Sequence, residues 1–344
     1  MARVYIARLS HENFSLAYSE FNSIMIAEGI EHKVEFKLDE FVLFRSSTIG
    51  IDVLLKRAAL LIELGKLVDI VECDDKDLLI KLMKDSIDRD EICIAIDSVR
   101  GFGKNIAEEL IKIVHPKNIC TRRKIDEGFR VLKLSLVANV AFIYWLIYRR
   151  RQKMYIDREP QHRPCYRPGT MKPLLAKTFV NLSRVSILRR ETVLDPFCGV
   201  GGFAIEACLM GLEAICSDID EHMVRGAQVN IARYGCCESV DAIQMDAALE
   251  AIANLRVDGI ATDPPYNIQS APRGAKSLTD LLISFIDEAS NALRNGRYMV
   301  FATPIHIGRS IENALSESGF KIIEKHLDMV HGSLTRAIYV VKKI

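Results

Sequence analysis

The sequence predicts a multi-unit α/β chain of 344 residues whose C-terminal half is a doubly wound, mostly parallel sheet of about seven strands. Three observations carry this. Strand-length apolar runs alternate with helix-period segments from residue 172 to the end of the sequence. Four successive runs finish on a carboxylate, at Asp195, Asp218, Asp246 and Asp263. The charge is unevenly spread: residues 1–97 carry 12 Lys/Arg against 19 Asp/Glu, residues 98–170 carry 16 against 6, and residues 171–344 carry 18 against 20. The basic belt between two acidic or near-neutral regions reads as a nucleic-acid surface, or else as a solvated face without a partner.

In chain order, residues 4–7 read as a strand, followed by a helix from an N-cap at Ser10 to Gly29, and residues 33–38 and 41–45 as two short strands. Residues 51–64 are apolar on a helical period and 66–71 read as a strand. A second unit follows, with a helix at 75–85, a strand at 91–97 and a helix at 104–114. The loop between the last two, 98–104, brings glycines, Arg100 and Lys104 to a helix N-terminus, where a backbone can approach a phosphate. Residues 129–136 and 140–148 suit a hairpin turning at Ala138-Asn139, with Asn139 in a left-handed conformation. The hairpin delivers the chain to Arg149-Arg150-Arg151-Gln152-Lys153 and then to Pro160, Pro164 and Pro168, where a domain boundary is clearest. Together with Arg100, Lys104, Arg122 and Arg123, the residues Arg149, Arg150, Arg151 and Lys153 are the candidate nucleic-acid contacts.

The C-terminal half opens with a helix at 172–182, then a strand at 192–195 and the turn Pro196-Phe197-Cys198-Gly199-Val200-Gly201-Gly202, which starts a helix to Met210. Strands follow at 213–217, 240–245, 256–262, 298–303, 321–326 and 337–341, with Asp220 capping a helix to Tyr234. The nine cysteines show neither CxxC pairs nor Cys/His metal spacing and are expected as reduced thiols of a cytoplasmic protein, with no metal site. The N-terminus has no signal-peptide pattern. The longest apolar run, 134–148, is broken at Ser135 and Asn139 and is short for a bilayer, so no membrane association is expected.

In a parallel sheet of this kind, ligands sit at the carboxyl ends of the strands. A carboxylate ahead of the first glycine turn would repel a phosphate and attract an ammonium. Asp218, about 20 residues on, is placed for ribose hydroxyls, and Asp246 for an adenine amino group. Ammonium, ribose and adenine together describe S-adenosyl-L-methionine. The fourth site, Asp263-Pro264-Pro265-Tyr266, is a strand end made rigid by two prolines. There Asp263 and the Pro264 carbonyl can accept the N–H bonds of an amino group on a planar ring stacked against Tyr266.

These motifs resemble a class I S-adenosylmethionine-dependent methyltransferase of the amino-methylating type, matching at 195–201, Asp218, Asp246 and 263–266. With His162-Arg163-Pro164, Arg167-Pro168-Gly169-Thr170 and His331-Gly332-Ser333-Leu334-Thr335-Arg336, the chain resembles archaeal tRNA guanine-10 N2-methyltransferases. A glycine commonly stands where this chain has Asn267. The resemblance implies a ferredoxin-like segment at 1–50, a THUMP RNA-binding domain at 51–150, a linker at 151–165 and a Rossmann-like methyltransferase domain at 166–344. It implies Asp263, Pro264, Pro265 and Tyr266 as the catalytic set. Thr170, Asp195, Phe197, Cys198, Gly199, Gly201, Asp218, Ile219, Asp246 and Ala247 would bind the cofactor.

The implied substrate is the N2 amine of a guanosine in tRNA, flipped from its stem. Another tRNA position or ribosomal RNA, and a non-catalytic RNA-binding subunit, stay open as alternatives. DNA methylation shares the Asp263 turn, but the implied RNA-binding half argues against DNA as a partner. Relatives of this family work with a small zinc-binding activator protein, and the usual strand order puts 240–245 at the sheet edge, open to strand augmentation by such a partner.

Overall fold

Short apolar strands separated by tight turns build a first sheet. Its strands are β1 (Arg3–Leu9), β2 (His32–Leu38), β3 (Phe41–Ser46), β4 (Leu61–Glu72), β5 (Ile92–Ser98), β6 (Arg130–Val137) and β7 (Val140–Arg149), paired in the order β2-β3-β1-β4-β7-β6-β5. All these pairings are antiparallel except β5 with β6. The computed structural model describes residues 3–47, 50–86, 91–114, 116–151, 153–249, 255–266, 277–331 and 334–344. Among these, no helix is long and apolar enough to cross a membrane.

Helices in the first 150 residues are α1 (Phe14–Ala27), α2 (Ile51–Arg57), α3 (Lys76–Ser86), α4 (Lys104–Ile113) and α5 (Arg122–Asp126). The chain divides into two compact units that are discontinuous in sequence. One comprises Met1–Glu12, Glu31–Thr48 and Leu61–Arg150, and the other Asn13–Ile30, Ile49–Leu60 and Arg151–Ile344. The first sheet with α3, α4 and α5 is therefore one unit, while α1 and α2 belong to the second.

Within the first unit, Lys133 is buried with Nζ 2.6 Å from both Glu63 carboxylate oxygens and 3.1 Å from Asp97, and Tyr144 donates its hydroxyl to Glu63 at 3.0 Å. A charge this deep is tolerated because each donor has a carboxylate partner. Gly65 is required beside it, since a Cβ there would sit 2.1 Å from the Tyr144 ring.

The second unit carries a seven-stranded sheet of β8 (Thr192–Asp195), β9 (Glu213–Asp218), β10 (Val240–Gln244), β11 (Val257–Thr262), β12 (Leu293–Pro304), β13 (Phe320–His331) and β14 (Leu334–Lys343). Its order is β10-β9-β8-β11-β12-β14-β13, parallel from β10 through β12 and antiparallel across β14. Its helices are α6 (Pro173–Leu182), α7 (Gly202–Met210), α8 (Glu221–Arg233), α9 (Leu278–Ala292) and α10 (Gly308–Glu317). Leu282, Phe285, Met299, Phe301, Leu315 and Tyr339 anchor one of its cores and are each at most 1% exposed.

A buried polar network ties α1 and α2 to α6. Arg57, with no exposed surface, pairs with Glu28, donates to the Val185 carbonyl at 2.6 Å and reaches Asn181 at 3.1 Å. Asn181 in turn donates to Glu20 at 2.7 Å. Burial pushes the Glu28 carboxyl up, but the Ile187 N–H and the Arg57 guanidinium outweigh it and bring it below its usual range.

Most sequence-level boundaries agree with these spans to within a few residues, and four points are corrected. Asn13, not Ser10, caps α1, accepting from the Leu16 N–H at 3.1 Å. The helix expected over 51–64 stops at Arg57, because Glu20 takes the Ala59 and Leu60 N–H groups at 3.0 and 2.7 Å and β4 starts at Leu61. Ala138, not Asn139, takes the left-handed conformation in the β6–β7 turn, while the Asn139 carbonyl accepts from the Cys73 N–H. The cysteines are not all reduced: Cys93 pairs with Cys120 and Cys208 with Cys236. The partners lie 27 and 28 residues apart, so only the fold brings them together.

Candidate active site

Parallel pairing of β10, β9, β8 and β11 delivers their carboxyl ends to one edge, and a cavity of about 840 Å³ opens there. Thr170, Phe197, Cys198, Gly199, Asp218, Ile219, Ala247, Asp263, Pro264, Pro265 and Tyr266 all line it. The sequence did not single out Met171, Glu221 and Met223, which also line it; it named Asp220, another lining residue, only as a helix cap, and gave no role to Arg167 beside them.

The glycine turn that forms the cavity floor is held from two sides. Gly199 and Gly201 have φ of +50° and +84°, a conformation open to glycine, and Gly201 sits at the N-cap of α7. A Cβ on Gly201 would also come within 3.2 Å of the Ala227 Cβ. Asp218 accepts the Gly199 N–H at 2.9 Å and the Asp220 N–H at 3.0 Å, so the carboxylate expected to meet a ligand also fixes the turn.

Asp195 lies beneath the turn rather than among the lining groups, 3% exposed. Its Oδ1 accepts from the Thr262 hydroxyl at 2.7 Å and the Phe197 N–H at 3.3 Å, whereas Oδ2 is buried without a hydrogen-bond partner among the described residues. Burial pushes its carboxyl up to about 7, against those two bonds. Asp246 follows the end of β10 and accepts from the Ala248 N–H at 2.9 Å; it too is absent from the lining, although its neighbour Ala247 is present.

At the other end of the cavity, Tyr266 donates its hydroxyl to Asp263 Oδ1. Arg336 completes the group: Nη1 lies 3.3 Å from Asp263 Oδ2 and 3.1 Å from the Tyr266 hydroxyl, and Nε donates to Asp328 at 2.8 Å. Burial raises the Asp263 carboxyl and Arg336 opposes that rise. Burial and the adjacent Asp263 raise the Tyr266 hydroxyl far above its usual range, so it stays a donor. Arg336 belongs to the 331–336 segment quoted above. Its signal was a cation at the head of an apolar strand, which needs a buried anion to pair with. Gly332 and Ser333 of that segment, together with residues 267–276, lie outside the described residues.

The candidate RNA contacts fall in both units. In the first unit Arg100 stands 3.0 Å from Asp39, Arg123 donates to Glu127 at 2.8 Å, and Arg149 is exposed 3.6 Å from Glu63. Lys104 is exposed, Arg122 begins α5, and Arg150 follows β7. In the second unit Arg151 and Lys153 are exposed, and Gln152 between them lies outside the described residues.

Residues 160–338 match the RMKL-like methyltransferase domain family. The chain belongs to this family. Among relatives, a tRNA (guanine(10)-N2)-dimethyltransferase of Methanothermobacter thermautotrophicus is 29% identical over 98% of both chains. A protein of the same name from Methanocaldococcus jannaschii is 31% identical over 80% of this chain and 74% of its own length. The fold is similar to TrmN from Thermus thermophilus, with a TM-score of 0.60 and 16% identity over 99% of this chain and 100% of that one.

Membership of a methyltransferase family gives the orphaned Asp195 oxygen a meaning beyond packing. Its folded-state value near 7, set against an ordinary 3.8, makes the ionised form a liability on the order of 4 kcal/mol above neutral pH. A raised value favours the fold where the group is protonated, and that advantage is lost as pH rises through about 7. Asp195→Asn should therefore raise the melting temperature at pH 8 and leave it nearly unchanged at pH 4. Equal shifts at both pH values would show that the carboxylate is not strained.

Proposed function

We propose that the chain methylates the exocyclic N2 amine of guanosine 10 in tRNA, giving N2-methylguanosine and, with a second transfer, N2,N2-dimethylguanosine. The observation that carries this reading is a cavity with an acid-lined glycine turn at one end and the Asp263-Pro264-Pro265-Tyr266 turn at the other. Its support is the family membership and the name shared by the two archaeal relatives.

The donor set suits S-adenosyl-L-methionine. Asp218, Asp220 and Glu221 in the lining and the orphaned Asp195 oxygen favour a ligand with an ammonium and hydroxyl groups, and the glycines leave room for close approach. Asp195, Gly199, Gly201 and Asp218, with Thr170, Phe197, Cys198, Ile219, Asp246 and Ala247, would hold it. When bound it supplies a methyl group on a sulfonium centre.

Guanine N2 is a weak nucleophile because its lone pair is conjugated with the ring. Asp263 and the Pro264 carbonyl accept its two N–H bonds and turn the lone pair out of conjugation, toward the cofactor side of the cavity. Positioning and a fixed negative charge then supply most of the rate. Asp263 takes the proton that the methylated nitrogen releases. The Tyr266 ring is the stacking surface for the base, which has left its stem to enter the cavity. Arg149, Arg150, Arg151 and the other cations of the belt grip the phosphate backbone, which fixes the nucleotide that arrives.

Methylated-nucleoside mapping of unmodified tRNA after incubation with labelled cofactor should place the label at guanosine 10, and label at another position or in ribosomal RNA would overturn the assignment. Asp263→Ala should abolish transfer while tRNA binding stays within about twofold, because a phosphate-held complex does not use that carboxylate. Replacing Arg149, Arg150 and Arg151 together should do the converse, weakening binding and flattening its dependence on salt.

β10 is the edge of the second sheet, with Ile243 37% exposed. We also propose that a small zinc-binding activator protein adds a strand to this edge. Co-expression should yield a stable complex that a proline at Ala242 or Gln244, whose N–H groups face away from β9, disrupts, and full activity of the chain alone with no complex formed would remove the idea.

A further inference from the structure

Arg336 makes no wall of the cavity, yet it joins the residues of the amine turn to one another. It sits on β14 opposite Asp328 of β13 on one side and Pro304 of β12 on the other. From there the guanidinium spans three groups: Asp328 through Nε, and Asp263 and the Tyr266 hydroxyl through Nη1. Its side chain is 9% exposed and that of Asp263 13%, so water competes poorly for these bonds. Tyr266 binds the other oxygen of Asp263. Both carboxylate oxygens are thus tethered from behind, which fixes the plane of the carboxylate and leaves the second lone pair of each oxygen as an acceptor.

Resting on the amine reading above, we infer that Arg336 is a positioning residue for the methyl acceptor: held by Asp328, it locks Asp263 and Tyr266 into the arrangement that receives an exocyclic amine. It touches neither cofactor nor base and acts through Asp263. A lysine there retains the charge but lacks the planar fork that reaches three partners.

The charged and titratable groups facing Asp263 are Arg336 from β14, Asp328 from β13, Tyr266 from its own turn and Asp195 from β8. Arg336 lowers the Asp263 carboxyl and Asp328 raises it. Removing one or the other should therefore move the acid limb of the pH profile in opposite directions. A merely structural role has no such signature.

The test compares Arg336→Gln, Arg336→Lys and Asp328→Asn in the full chain. It measures tRNA methylation, the pH profile of kcat/KM, and S-adenosylhomocysteine affinity by calorimetry. Arg336→Gln should lower kcat about 100-fold, the usual effect of deleting one preorganised donor, with S-adenosylhomocysteine affinity within about threefold of wild type. Its acid limb should move to higher pH. Arg336→Lys should restore the limb but recover only part of kcat, and Asp328→Asn should move the limb to lower pH. Wild-type kcat in Arg336→Gln, or limbs that stay put, overturns the proposal. If Arg336→Gln does not fold, the lysine and Asp328→Asn variants decide it by the same limbs. Asp263→Ala, run in parallel, separates the two readings: activity there sinks the amine site itself, while a dead Asp263→Ala beside a normal Arg336→Gln sinks only the role of Arg336.

Discussion

The hydrogen bond from the Thr262 hydroxyl to Asp195, 2.7 Å long and fully buried, joins the ends of two neighbouring strands. On β8 it fixes the carboxylate under the glycine turn. On β11 it fixes the residue immediately before Asp263. The two halves of the cavity are thereby set against each other by a single short contact between parallel strands whose register pairs Ile260 with Leu194. Close packing under β11 keeps that register, since a Cβ on Gly259 would meet Val185 at 2.4 Å.

The same edge concentrates buried carboxylates. Asp195, Asp218 and Asp263 all have carboxyls raised by burial, a rise that Arg336 opposes at Asp263 and Arg167 opposes at Asp218. An edge built this way is less stable without a ligand than with one. Functional sites commonly carry this kind of local cost, and here it is spread over three strands rather than stored in one residue.

What the sequence made legible follows from range. Aspartates ending apolar runs at Asp195, Asp218 and Asp263 were visible because a strand terminus and its carboxylate are adjacent in the chain. The glycine turn was visible for the same reason. Arg336 was not, since its partners Asp263 and Tyr266 are 73 and 70 residues away and meet it only across β12. The two disulfides and the early end of α2, imposed by Glu20 from about 40 residues upstream, escaped on the same ground. Asp246 has the spacing of a ligand group, and the structure adds that its carboxylate also accepts the Ala248 N–H of its own loop.

The buried network around Arg57 bears on how the chain reaches this state. Glu20, Glu28 and Arg57 leave the ribosome first, whereas Asn181, the residue that closes their network, lies 124 positions beyond Arg57. In the interval four of the seven strands of the other unit's sheet, β4 to β7, are synthesised. The early helices emerge able to form the Arg57–Glu28 pair but without Asn181 and Val185, the distant partners of Arg57 and Glu20, so vectorial synthesis alone cannot complete the catalytic unit. Its last step is a long-range closure, and a nascent chain paused before residue 181 holds α1 and α2 as unfinished surface.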